Sequence, residues 1–201
     1  MMTADSCCCA KRRSVALIAC VALLFVGACT TTTSGTGSLV TASDHSSPTA
    51  ASATTGTGLV PYKGDRFTVS MPGTPVKTVQ QVPSAVGQIM FTILVVEKSD
   101  TDAFAVGYSD YPAGTQFDLN NAARGAAVFI HGHETDLHHV TYRSRPALDF
   151  RVIKAAGGQA TGFMRMVLVD NRTYELFATV DGADVKTAPA EYLLMRDSLT
   201  F

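Results

Sequence analysis

No tryptophan occurs among the 201 residues, and none of the five cysteines lies beyond position 29. A chain without cysteine after that point has no disulfide, no thiolate metal site and no cysteine nucleophile in its remainder. Its folded part must be held by packing alone. The missing tryptophan removes the usual stacking platform for sugars. Charge is scarce and balanced, with 16 basic and 17 acidic side chains. No basic stripe stands out, which argues against nucleic acid as a partner. A long apolar run is also lacking. The best stretch, Ser14–Ala28, is 15 residues, or roughly 22 Å of helix, short of the roughly 20 residues that span a bilayer. Neither a G-x-S-x-G elbow nor an S-x-x-K motif is present, so no catalytic residue is assigned and the chain is not read as an enzyme.

What is present begins at the N-terminus. Lys11, Arg12 and Arg13 precede the apolar run, and Val26-Gly27-Ala28-Cys29 ends it. A basic start, an apolar centre and small residues before a cut make a secretory signal. With a cysteine at the cut, the order resembles a bacterial lipoprotein signal, residues 1–28, with Cys29 as the acylated (palmitate-type) first residue of the mature chain. Each buried CH₂ contributes about 0.8 kcal/mol, and two or more chains anchor stably. The expected location is therefore the extracytoplasmic face of the cell membrane, with the membrane itself as one partner. Cys7, Cys8 and Cys9 lie in the segment that processing removes. Loss of Asp5, Lys11, Arg12 and Arg13 takes the basic count from 16 to 13 and the acidic count from 17 to 16, a net charge near −3.

Residues 29–58 are almost entirely Ser, Thr, Gly and Ala, with Asp44 and His45 the only titratable side chains between Thr30 and Gly58. Such a segment cannot bury enough apolar surface to offset its chain entropy, so it reads as a disordered tether of roughly 30 Å. Its hydroxyls are also candidates for O-linked sugar.

Residues 59–201 read as one globular domain. Arg66–Met71 alternates apolar and polar and stops at Pro72-Gly73, as a half-buried strand does. Val76–Val82 alternates weakly. Gln88–Lys98 is apolar on both faces, which predicts a central strand, and Ser99-Asp100-Thr101-Asp102 is turn chemistry leading to a partner strand over Ala103–Tyr111. The period then changes. Leu119, Ala122, Ala123, Ala126, Phe129 and Ile130 recur at helical spacing, with Asp118 as cap and Gly132 as stop. The alanines, with Ala127, fit either close packing or a cavity. Strands follow over Leu137–Ser144, Ala147–Lys154, Ala160–Val169 and Thr173–Val180, separated by Pro146, Gly157-Gly158 and Asp170-Asn171-Arg172. Asn171-Arg172-Thr173 matches a glycosylation sequon but reads as a turn. A last helix runs from about Thr187 to Ser198. Strands, helix, strands, helix with short turns predict an α+β fold: a mostly antiparallel sheet with helices packed on its faces.

The histidine segment His131-Gly132-His133-Glu134-Thr135-Asp136-Leu137-His138-His139 is the one candidate metal cluster. Imidazole and carboxylate suit zinc. Gly132 breaks the helix between His131 and His133, and His138 and His139 point to opposite faces of a strand. The plainer reading is a solvated helix-to-strand loop. Asp149 and Glu175 fall on different strands and make no inferable pair. Tyr108, Tyr111, Tyr142 and Tyr174 recur on strands, as core-edge residues or as the lining of a groove with hydroxyl handles.

Three segments carry a resemblance: Phe67-x-Val69-x-Met71-Pro72-Gly73-x-Pro75; Tyr142–Phe150 with Arg165–Leu176; and Asp197-Ser198-Leu199-x-Phe201. Together they resemble the PsbP-like group, and within it the small actinobacterial lipoproteins of the LpqN type. The resemblance implies an α/β/α sandwich around an antiparallel sheet. It also implies a binding or scaffolding role without cofactor or catalysis. Two functions are therefore expected: a lipid-anchored module docking an envelope protein, or a carrier of an apolar ligand such as a lipid or acyl chain between helix and sheet.

Overall fold

The computed structural model describes residues 58–201 apart from 85. The signal segment, Cys29 and the tether lie outside the described residues. Two sheets are present. A hairpin pairs β1 (Val60–Gly64) with β2 (Phe67–Met71). A seven-stranded antiparallel sheet contains β3 (Val76–Ser84), β4 (Gly87–Glu97), β5 (Ala103–Asp110), β6 (His133–Tyr142), β7 (Arg145–Lys154), β8 (Ala160–Val169) and β9 (Arg172–Asp181), in the order β3-β4-β5-β9-β8-β7-β6. Three helices accompany them: α1 (Leu119–Phe129), α2 (Ala155–Gly158) and α3 (Ala190–Ser198).

The expectation of an α+β sandwich, PsbP-like, with helices layered on both faces is corrected by these proportions. Strands take 55% of the described residues and helices 17%. The longest helix, α1, has 11 residues. At about 1.5 Å per residue it is roughly 17 Å long, too short to cover a face seven strands wide at about 4.8 Å each. The protein is mostly β, and on one face a β-hairpin does much of what a helix was expected to do.

That first face carries Leu94, Val96, Phe104, Val106, Phe163, Val167, Tyr174, Leu176 and Ala178, packed against Phe67, Val69 and Met71 of β2 and Tyr192 and Met195 of α3. Backbone bonds between Thr68 and Thr200, both 2.9 Å, add the chain end to the edge of β2. Three arginines from successive strands also point to this face, each with carboxylate partners. Arg151 of β7 bonds Asp136, Asp184 and the Val185 carbonyl. Arg165 of β8 makes two bonds to Asp149, at 2.5 and 2.6 Å. Arg172 of β9 holds Asp110 and Asp65. Arg151 and Arg172 thereby tie the sheet to the segment 184–185 and to the β1–β2 turn, while Arg165 pairs with its cross-strand neighbour. Buried charge is tolerated only when paired in this way.

The second face has two halves. Over β6 and β7 lies α1, with Leu119, Ala122, Ala123, Ala126 and Ala127 all buried against Leu148, Phe150, Val152, Met164 and Met166. The alanine stripe is therefore close packing and not a cavity. On the other half, Val82, Ile89, Phe91, Ile93, Val95 and Ala105 form a separate cluster drawn from β3, β4 and β5 alone, with Tyr111 and Phe177 against it.

Several local readings are revised. β1 carried no strand signal, being half exposed and holding Pro61 and Gly64. Pro146 does not separate two strands. The turn is Arg143-Ser144, both at positive φ (49° and 63°), a geometry that glycine and asparagine usually signal. Pro146 lies inside β7 opposite Thr141, and β7–β8 pairing begins only at Ala147. A proline is tolerated where the ladder has not yet started. The histidine segment is not a loop either. Its greater part is strand β6, with a bulge between Thr135 and His138.

Candidate binding site

Two neighbouring strands set the site by register. On β9, Tyr174, Leu176 and Ala178 belong to the first-face core, so Thr173, Glu175 and Phe177 point to the second face. Antiparallel pairing places Thr173 opposite Ser109 and Glu175 opposite Gly107 on β5. On the other side Glu175 meets Met166 of β8. Neither lateral neighbour offers the carboxyl a hydrogen bond. Gly107 has no side chain, and a Cβ there would stand 2.6 Å from the Phe91 ring. The ring of Phe91 therefore lies over the glycine, beside Glu175.

Phe177 packs against both second-face clusters, the one under α1 and the one on β3–β5. It marks the seam between them. Glu175, Tyr111 and Phe117 line the same seam and are each only partly exposed. Tyr111 and Phe117 meet edge to face at 5.0 Å. Glu175 keeps some accessible surface, yet its carboxyl is surrounded by protein.

The electrostatics along this seam are unusual for a sheet face. Burial pushes the Glu175 carboxyl up to about 7, with no opposing partner. Near neutral pH it is thus divided between acid and carboxylate. Burial also raises the Tyr111 hydroxyl, and the negative charge of Glu175 adds to the effect. Thr173 is near enough to ease Tyr111 ionisation slightly, yet its Oγ1 is enclosed and meets no partner in hydrogen-bonding geometry. The residue as a whole is 1% exposed. An unpaired buried hydroxyl costs about 1–3 kcal/mol, and an unpaired buried carboxyl more. Perturbed, unpartnered groups in a concavity are where ligands bind.

The four histidines from the sequence are not brought together here. His131 takes a positive φ of 55° just after α1. His133 and His138 pair with Ile153 and Asp149, while His139 pairs with Leu148. Leu148 belongs to the second face, so His139 points there, and its Nε2 lies 3.0 Å from Asn120 Oδ1 of α1. Among the described residues no group of three or more His, Cys, Asp or Glu side chains is placed to hold a metal ion. Asp149 and Glu175 sit on opposite faces. Tyr108 and Tyr174 lie under the Arg172 guanidinium, at 4.7 and 5.8 Å from ring centre. Tyr142 bonds the carbonyls that end α3. Of the four tyrosines, Tyr111 alone lies at the seam.

Sequence reasoning named Glu175 only as half of a carboxylate pair. The available signal was Glu175 itself, a charged residue between Thr173 and Phe177 on one face of a strand whose other face runs Tyr174, Leu176, Ala178 after Arg172. No protein-family model matches this chain, and no curated protein is significantly similar to it. The PsbP-like resemblance gains no support from these comparisons.

Proposed function

We propose that this protein is a lipid-anchored, extracytoplasmic carrier that holds one amphipathic small molecule in the recess between α1 and the β3–β5 half of the sheet. The observation that carries the reading is Glu175: a carboxyl enclosed among Phe91, Met166, Phe177 and Gly107 with no bond partner. A residue kept only for packing at this place would be apolar, because an isolated buried carboxyl works against folding. The recess would then offer an apolar wall and one waiting polar group, the Glu175 carboxyl. Ligand pockets have that composition. The tether and the acyl anchor at Cys29 would keep such a carrier at the membrane where apolar molecules partition.

Native mass spectrometry of the full protein, gently extracted from its own membrane, tests this. A bound species of a few hundred daltons beyond the acyl chains, reduced by Phe177→Ala in a folded protein, is the expected result. A protein that carries nothing, and takes up nothing from a mixed lipid extract, would refute the carrier.

Docking of an envelope protein is the second reading, and one feature favours it. The edge strand β3 exposes Val76 (71%) and Val79 (50%) and carries a single charge, Lys77. The opposite edge, β6, is interrupted by a bulge, a common protection against pairing. Crosslinking from position 79 at the envelope distinguishes this reading from the first.

A further inference from the structure

The two faces of the sheet treat charge differently. On the first face Arg151, Arg165 and Arg172 each meet carboxylates. On the second face Glu175 meets no cation among the described residues. Its neighbours across the ladders are Gly107 and Met166. From β4 come Phe91 and Ile93, from β8 Met164, from β9 Thr173 and Phe177, and from the chain after β5 Tyr111. The buried side chains of α1 are Leu119 and four alanines. Its cap, Asp118, is bound to the helix's own amides, and its arginine, Arg124, reaches Glu134 of β6. Among the described residues Tyr111 is therefore the one other titratable group beside Glu175, and it carries no positive charge.

We propose that the missing partner is supplied by the ligand: its head group is an ammonium on an apolar body. This rests on the carrier reading above and names the class of molecule carried. Three features fit together. A carboxylate in an apolar recess attracts a cation far more strongly than one in water. Phe91, Tyr111 and Phe177 of the same seam are of the side-chain class that favours cations. The neighbours of Glu175 across both ladders, Gly107 and Met166, leave its carboxyl unpaired. Among the described residues no basic side chain stands beside Glu175 to take a phosphate, so a lone cation fits better than a zwitterionic lipid head. Binding exchanges one cation for the proton on Glu175: the acid releases H⁺, and the carboxylate pairs with the ammonium.

The test uses the chain from residue 30 onward, free of signal and acyl groups. It contains every strand, helix and core cluster described. Isothermal titration with octylammonium, 1-octanol and octylphosphocholine is run at about pH 5.5 and about pH 8.5. An alkylammonium titrates near the lysine value of about 10.4 and stays charged across that range. Octylammonium should bind tenfold or more tighter at the higher pH and release a proton at the lower, read from the buffer dependence of the heat. Octanol should not gain with pH, and octylphosphocholine should bind more weakly than octylammonium. Glu175→Gln, checked for folding by near-UV dichroism, should lose the pH dependence and keep octanol binding. Octanol binding as tightly as octylammonium at both pH values would overturn the ammonium assignment, as would tighter binding of octylphosphocholine. Binding of none of the three would overturn the carrier reading itself.

Discussion

Arg172 and Asp110 face each other across the β5–β9 ladder and share two hydrogen bonds, 2.8 Å from Nε and 2.5 Å from Nη2. The guanidinium is almost wholly enclosed, with 3% of its side chain exposed. It reaches on to the Asp65 carbonyl, 2.7 Å away, and to the Asp65 carboxylate at 2.9 Å, in the turn between β1 and β2. Arg66 reaches the same Asp110. One buried cation thus pins the hairpin to the sheet. Its bonds to Asp110 hold the arginine charged and hold the Asp110 carboxyl below the usual range.

Asp110→Asn should therefore destabilise the protein. Breaking a fully buried pair costs about 3–5 kcal/mol. Asp110 is half exposed and Asp65 remains as a partner, so about 2 kcal/mol is expected here. The sign with pH follows from the lowered carboxyl: its contribution is present above the unfolded value and is lost as pH falls through the folded one. Hydrogen exchange checks the locality, with the amides of Phe67–Met71 speeding up before those of β8.

Glu175 carries the opposite sign. Its folded value, about 7, lies above the ordinary 4.5. The folded state then binds more protons between those values, and stability falls as pH rises from about 5 to about 7.5. The shift corresponds to roughly 3 kcal/mol at 1.36 kcal/mol per unit. Glu175→Gln should flatten this slope and be the more stable protein at pH 8, as read by denaturant midpoints at a series of pH values.

Gly107→Ala tests the close approach of strand and ring. The added methyl would meet the Phe91 ring at 2.6 Å. Overpacking of this kind costs about 1–3 kcal/mol. The ring over Gly107 must shift, so octylammonium binding should weaken together with the melting temperature. Pairing with Phe91→Leu should recover part of the stability.

Tyr142→Phe removes the hydroxyl that lies 2.8 Å from the Leu199 carbonyl and 3.1 and 3.2 Å from those of Arg196 and Asp197. A loss of about 1–2 kcal/mol is expected, with faster exchange at Thr200, whose amide bonds Thr68. Ligand affinity should not change, because Tyr142 serves the first face.

The strands were legible wherever one face repeats with period two, as in Arg66–Met71 and Ala103–Tyr111, or where both faces are apolar, as in Gln88–Lys98. Helix α1 was legible from its alanine and leucine spacing and from Asp118. The proportion of helix to sheet was not, since a periodic run gives the type of an element without saying how much of a neighbouring face it covers. The bulge between Thr135 and His138 shifts the alternation of β6, so a strand looked like a loop. The turn at Arg143-Ser144 uses a left-handed geometry without glycine or asparagine, so Pro146 drew the break instead. Glu175 was hidden for a different reason. A charged residue on a strand ordinarily faces water, and only the pairing of β9 with β5 and β8 places it beside Gly107 and Met166 and away from every arginine.

The most direct test is a carbon-detected NMR titration of the Glu175 carboxyl, in the free protein and then with saturating octylammonium. The account predicts a midpoint near 7 in the free protein, and a fall of at least about one unit when the ammonium pairs with it. A free-protein midpoint at the ordinary 4.5, unmoved by octylammonium, would contradict it.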